Sequence, residues 1–165
     1  MSEYLLGIDN GNTISKAAIF DLQGREIQVT SRQVKSNFPH KGWTERSMDE
    51  LWQSTAATIK DALSKSGIKP EHIIGIGTTG HGNGLYLIDK EGRPARAGIQ
   101  SLDTRAADIV DSWNRKNLHD QVFPLTTQAF WPAQPNALLA WIKQNEPQVY
   151  GRIGAVLMAK DYIKY

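Results

Sequence analysis

The sequence predicts an α/β fold, a mixed sheet with flanking helices, on the strength of three observations. Its first thirty residues read as three consecutive strands, a capped amphipathic helix follows, and strand and helix patterns then alternate toward Tyr165. Leu5 to Asp9 is an apolar strand that ends at a carboxylate, Asn10 to Thr13 is a polar turn, and Ser15 to Phe20 returns as the second strand. Beyond the Asp21–Gly24 loop, Ile27 and Val29 alternate with Gln28 and Thr30, the period of a half-buried third strand.

The helix is the most sharply written element. Ser47-Met48-Asp49-Glu50 has the form of a capping box, in which a hydroxyl and a carboxylate three residues apart satisfy orphan amides reciprocally. Trp52, Ala56, Ile59 and Leu63 repeat at helical spacing, and Gly67 stops the pattern ahead of Pro70. Short apolar runs then fit buried strands at Ile73 to Thr78 and Leu85 to Ile88, and Ala97 to Gln100 fits a brief strand. Asp103 is placed to cap a helix whose apolar face is Ala106, Ile109, Val110 and Trp113. Phe123 to Pro135, with three prolines and the Phe130-Trp131 pair, reads as an ordered loop before a helix from Asn136 to Asn145. A last strand from Ala155 to Met158 precedes the start of a further pattern at Lys160. No internal repeat, low-complexity segment or linker interrupts the order.

Composition narrows the function classes. The 165 residues are 40% apolar and 22% charged, with 19 basic side chains against 17 acidic ones and a net charge of +2. That balance gives no electrostatic basis for nucleic-acid or membrane binding, and the basic residues are scattered. No apolar run reaches membrane-spanning length, the opening Met-Ser-Glu lacks a signal peptide's basic and apolar regions, and the absence of cysteine removes disulfides and thiolate metal sites. A cytoplasmic location is the expectation.

Two stretches carry candidate chemistry. In the first turn, Gly11 allows close approach of a ligand and Asn12 and Thr13 offer small polar donors. Asp9 repels a phosphate directly but suits one if Mg²⁺ or its water shell lies between them, because Mg²⁺ keeps waters and takes few carboxylates. An ordinary hairpin turn accounts for the same residues, since turns favour Asn and Gly. The second stretch is Thr78-Thr79-Gly80-His81-Gly82-Asn83-Gly84, which brings backbone, His81 and Asn83 together at a strand end. Neutral His and Asn supply both donors and acceptors, as a hydroxylated sugar needs.

Gly7-Ile-Asp-Asn-Gly-Asn-Thr13 followed by Lys16 resembles the first phosphate motif of the actin, hexokinase and heat-shock ATPase superfamily. Within it the chain resembles the FGGY carbohydrate kinases. The likeness continues through Gly42-Trp43-Thr44-Glu45, Gly75-Ile76-Gly77, His81 to Gly84, Ala97 to Arg105 and Ala159-Lys160-Asp161-Tyr162. The pentulose kinase group, xylulose and L-xylulose kinases, is the nearest likeness.

The resemblance implies a ribonuclease H-like half-domain of that superfamily and ATP-dependent phosphorylation of a sugar hydroxyl, with ATP and Mg²⁺ as cofactors and homodimers as a common assembly. It implies phosphate binding by Asn10, Gly11, Asn12, Thr13 and Lys16, metal binding by Asp9 through water, and sugar contacts from His81, Gly82, Asn83, Asp103, Trp131 and Gln134. Trp43 and Glu45 are read as structural anchors and Arg105 as a solvated or ion-paired helix residue. Gly82-Asn83 stands where xylulose kinases carry Met-His and glycerol kinases Arg-Glu, so a pentulose fits better than glycerol.

The resemblance also implies that residues 1–165 are the N-terminal part of kinase domain I, with the general base and the C-terminal ATP-binding domain beyond residue 165. The alternative is a catalytically inactive, truncated sugar-binding or structural module. An actin-like or chaperone ATPase is disfavoured by the sugar-segment matches.

Overall fold

In the computed structural model, which describes residues 2–165, the elements run in chain order as follows. Strands β1 (Tyr4–Asn10), β2 (Ile14–Asp21), β3 (Glu26–Gln33) and β4 (Glu45–Arg46) precede helix α1 (Met48–Ser66). Strands β5 (Ile73–Gly80), β6 (Tyr86–Asp89) and β7 (Gly98–Ile99) precede helices α2 (Ala107–Arg115), α3 (Leu118–Thr126), α4 (Pro135–Asn145) and α5 (Pro147–Tyr150). Strand β8 (Ile153–Leu157) and helix α6 (Ala159–Lys164) complete the order. None of these helices is long and apolar enough to cross a membrane.

Two compact units divide the chain. One holds residues up to Ser36, Ser47–His81 and Ala159–Tyr165; the other holds Asn37–Arg46 and Gly82–Met158. In the first, a four-stranded sheet runs in the order β3-β2-β1-β5, antiparallel except for the parallel β1–β5 pair. This is the mixed sheet expected. Leu6 and Ile8 of β1, Ala17 and Ile19 of β2 and Ala62 of α1 are its buried apolar core. Gly80 makes the β5 end possible: a Cβ there would lie 2.8 Å from the Asn10 carbonyl oxygen, which accepts from the His81 amide at 3.0 Å.

Helix α1 starts and stops where expected, with only the Ser47 half of the capping box formed among the described residues, and has a different inner face. The Ser47 hydroxyl accepts from the Glu50 amide at 3.3 Å, and Gly67 closes the helix in the left-handed region at φ 68°. Trp52, expected inside, is 52% exposed, while Met48, Leu51, Thr55, Thr58 and Ala62 are buried. The threonines can be buried because their hydroxyls find acceptors: Thr55 shares its single proton between the Leu51 carbonyl at 2.8 Å and Asn10 Oδ1, and Thr58 donates to the Ser54 carbonyl at 2.8 Å. Strand β3 is corrected in the same way. Thr30 is its buried residue, donating to the Thr58 carbonyl at 2.8 Å, and Ile27 and Val29 lie exposed on the other face.

The second unit has two short antiparallel pairings, β4 with β7 and β6 with β8. Its core joins Leu85 and Leu87 to Ile109 and Val110 of α2 and to Leu138 and Ile142 of α4. Burial pushes the Tyr86 phenol up to about 12. Two expectations fail here. Asp103 does not cap α2, whose first helical residue is Ala107 after Ala106. The segment expected as loop from Phe123 is helical through Thr126, because Pro124 removes one amide only two residues before α3 ends.

A short turn occurs twice that the sequence reading did not pair. Asp21-Leu-Gln-Gly-Arg25 and Asp89-Lys-Glu-Gly-Arg93 have the same bonds, with each aspartate accepting from the backbone amides two and four residues on and from the arginine Nε. The backbone amides of Arg25 and Arg93, assisted by their side chains, hold both carboxyls below the usual carboxylate range.

Two expected outcomes follow from this packing. Thr55→Val keeps shape but removes one of the two hydroxyls that donate to the Asn10 side chain, and should cost about 1–2 kcal/mol in urea unfolding. For Asp89, a lowered folded value means its stabilisation is complete above the unfolded value near 3.9 and is lost as pH falls toward the folded value. The Tm deficit of Asp89→Asn should therefore be constant near neutrality and shrink below about pH 4.

Candidate functional site

The β1 strand end divides its polar residues between two faces. Strand pleating turns Asn10 into the face that packs on α1, where its Oδ1 accepts from Ser15 Oγ at 2.7 Å and Thr55 Oγ1 at 3.0 Å. Its neighbour Asp9 is turned to the opposite face. There Asp9 pairs across the ladder with Lys16 of β2 and Thr79 of β5. Asp9, Lys16 and Thr79 line one concavity of about 640 Å³, floored by Gly7, Ala18 and Gly77.

Asp9 and Lys16 occupy directly paired positions yet form no ion pair, and no other described residue bonds either side-chain charge. The turn between them is partly committed: the Gly11 amide donates to the Ile14 carbonyl at 3.0 Å, and the Thr13 carbonyl accepts from Val34 at 2.9 Å. The Thr13 hydroxyl is exposed and makes no bond among the described residues. Of the expected phosphate set, Asn10 is thus a brace, Gly11 closes the turn, and Thr13 and Lys16 keep groups for a ligand. Among the described residues no cluster of three or more His, Cys, Asp or Glu side chains could hold a metal. A lone uncommitted carboxylate fits a hydrated Mg²⁺, which completes its shell with water and phosphate oxygens.

The second unit brings Gly82, Asn83 and Gln134 to one cavity of about 440 Å³, together with Gln128, Asn136 and Met158. Those last three escaped the sequence reading. Gln128 and Asn136 are signalled in the sequence only by the polarity of the stretch after Phe123, and Met158 by nothing local. Asn83 stands in the left-handed region at φ 60°, which Asn tolerates better than most residues. Trp131 is 54% exposed and does not line this cavity, but its amide donates to Gln134 Oε1 at 3.0 Å. His81 ends the first unit, held by its amide on the Asn10 carbonyl.

Asp103, a candidate sugar contact, is buried and bonded inside the protein. It is 1% exposed and accepts from the Thr44 amide at 2.7 Å, from the Arg105 amide and Nε at 2.9 Å, and from an Arg105 terminal nitrogen at 2.8 Å. Arg105 also pairs with Glu45 at 2.9 Å, and its guanidinium carbon lies 4.0 Å from the Trp43 ring centroid. Trp43 and Glu45 are the anchors expected of them.

Over residues 4–165 the chain matches the N-terminal domain of the FGGY family of carbohydrate kinases. The chain belongs to that family. Among its relatives, the L-xylulose/3-keto-L-gulonate kinase of Escherichia coli strain K12 is 41% identical over all 165 residues, which cover 33% of that protein. A probable L-xylulose kinase of Pasteurella multocida is 40% identical over 98% of the chain and 34% of its own length. The xylulose kinase of Rhodospirillum rubrum superposes with a TM-score of 0.91 at 28% identity, over 98% of this chain and 33% of that one. The fold of that kinase over the superposed third is therefore the fold of this chain, which spans about a third of the length of these relatives.

The buried pair gives a direct check. Asp103→Asn leaves the Arg105 guanidinium buried without its principal anion, and should cost about 3–5 kcal/mol in chemical denaturation. A substitution with near-wild-type stability would return Asp103 to the list of sugar contacts.

Proposed function

We propose that the protein transfers a phosphoryl group from ATP to a hydroxyl of a sugar, and that a ketopentose such as xylulose or L-xylulose is the acceptor. Family membership and the names of the L-xylulose kinases similar to it support the reaction class. The observation that carries the reading is the unpaired Asp9 and Lys16 on one face of the strand end beside the Gly11 turn. An ion pair between them would cancel both charges; held apart, one serves a cation and the other a phosphate oxygen.

In this reading Lys16 and the Thr13 hydroxyl bind phosphate, with Asn10, Gly11 and Asn12 fixing the turn that presents them. Asp9 would hold Mg²⁺ through water, and the bound ion would supply neutralisation of phosphate charge. His81, Gly82 and Asn83 contact the sugar, and neutral amides match hydroxyls that both donate and accept. Residues 1–165 are then the N-terminal part of kinase domain I. The proton acceptor for the sugar hydroxyl is assigned to none of these residues.

The test uses the protein expressed from its complete gene and a pentulose panel, following ADP formation. L-Xylulose or D-xylulose should stimulate turnover. Asp9→Ala should reduce it on the order of 10²-fold or more while leaving Tm nearly unchanged, because the carboxylate holds no structural partner. Ketose-independent or absent turnover would favour a non-catalytic sugar-binding module, and a fully active Asp9→Ala would remove the metal role.

A further inference from the structure

We propose that Gln128 contacts the sugar in the 440 Å³ cavity and contributes to its specificity, and that Gln134 acts through it as a positioning residue. This rests on the sugar-kinase reading above. Four carboxamides line the cavity, from Asn83, Gln128, Gln134 and Asn136. Two of them are committed to the protein. Gln134 Oε1 accepts from the Trp131 amide at 3.0 Å while its Nε2 donates to the Ala129 carbonyl at 3.1 Å, and Asn136 Oδ1 accepts from the Ala137 amide at 2.9 Å. Asn83, already assigned to the sugar, has no side-chain bond among the described residues.

Gln128 keeps both donor and acceptor capacity, whereas Asn136, with its oxygen committed, keeps only its Nδ2 protons. The only side-chain bond of Gln128 among the described residues is a long one, 3.5 Å, received by Oε1 from Gln134 Nε2. That leaves its own Nε2 protons and an acceptor lone pair for a hydroxyl. Gln134 therefore touches both the loop backbone and the Gln128 amide, and sets where that amide sits.

The backbone is shaped to deliver Gln128. Thr127 stands in the left-handed region at φ 54°, a true outlier for a β-branched residue. The Gln128 amide is then caught by the Thr126 hydroxyl at 3.3 Å, and the Thr127 amide by the Phe123 carbonyl at 2.7 Å. Strain of this kind persists where surrounding bonds over-determine it, and it clusters at ligand clamps. Asn83, on the same cavity, shares the left-handed conformation.

The experiment is a double-mutant cycle in the protein expressed from its complete gene, with KM and kcat for the pentulose that it phosphorylates. Gln128→Ala should raise KM about tenfold and leave kcat within about twofold. Gln134→Ala should also raise KM, and the double variant should be no worse than Gln128→Ala alone, because one residue acts through the other. Gln134→Glu keeps the acceptor for the Trp131 amide and loses the Nε2 donor to both Gln128 and the Ala129 carbonyl; it should lower Tm slightly and still raise KM. An unchanged KM in Gln128→Ala or Gln134→Glu, or additive effects in the cycle, would overturn the proposal. A wild-type protein that phosphorylates no ketose would overturn the kinase reading, and this proposal with it.

Discussion

The candidate phosphate site depends on one buried amide. Asn10 has to satisfy its Oδ1 inside the face covered by α1, and it does so with two hydroxyls, from Ser15 across the turn and Thr55 on the helix. Its carbonyl takes the His81 amide at the end of β5. A single residue thereby ties the start of β2, the helix and the end of the parallel strand to the tip of β1. Because side chains alternate along a strand, burying Asn10 forces Asp9 to the opposite face. The exposure of the candidate metal carboxylate is a consequence of where its neighbour is buried. A one-residue slip in this strand would exchange the two and leave a carboxylate against α1.

Elements were more legible than faces. The three opening strands, the capped helix and the strand that follows it can be read because turn residues, caps and apolar runs are local signals. The inner face of α1 could not, since Thr55 and Thr58 look polar in sequence. They become burial-competent only after their hydroxyls bond the preceding turn. Trp52 misled for the complementary reason: its apolar character is local, while its exposure depends on which side of α1 the sheet takes. The same limit applied to β3, where Ile27 and Val29 obey strand periodicity but lie on the face that α1 does not cover.

Two aspartates show why site residues are harder to read than elements. Asp9 and Asp103 both follow short apolar stretches and both precede turns. What separates them is the company that folding supplies. Asp103 meets Arg105 two residues on, and the guanidinium, flattened against Trp43, can be buried only with that carboxylate and Glu45 beside it. A desolvated arginine without an anion is costly, so the aspartate is committed to it. Lys16 shares the face of Asp9, yet its flexible ammonium stands apart from the carboxylate and remains exposed. Arginine at 105 thus makes a structural clamp, and lysine at 16 leaves two charges without a partner among the described residues.

Loop conformation follows a related logic of commitment. Asn83 and Thr127 adopt left-handed backbone that glycine would take without strain. Thr127 is the costlier of the two, since branching at Cβ crowds the neighbouring carbonyl, a penalty of about 1–2 kcal/mol. Compensation lies close at hand: the Thr127 amide closes α3 on Phe123, and the Thr126 hydroxyl holds the next amide. Glycine would relieve the strain but would also let the loop sample other paths once α3 ends. A side chain at 127 restricts the unbound loop to few conformations, so the ordering cost is met during folding and not when a ligand arrives. Strain in the loop and commitment of the Gln134 amide are therefore two parts of the same pre-organisation.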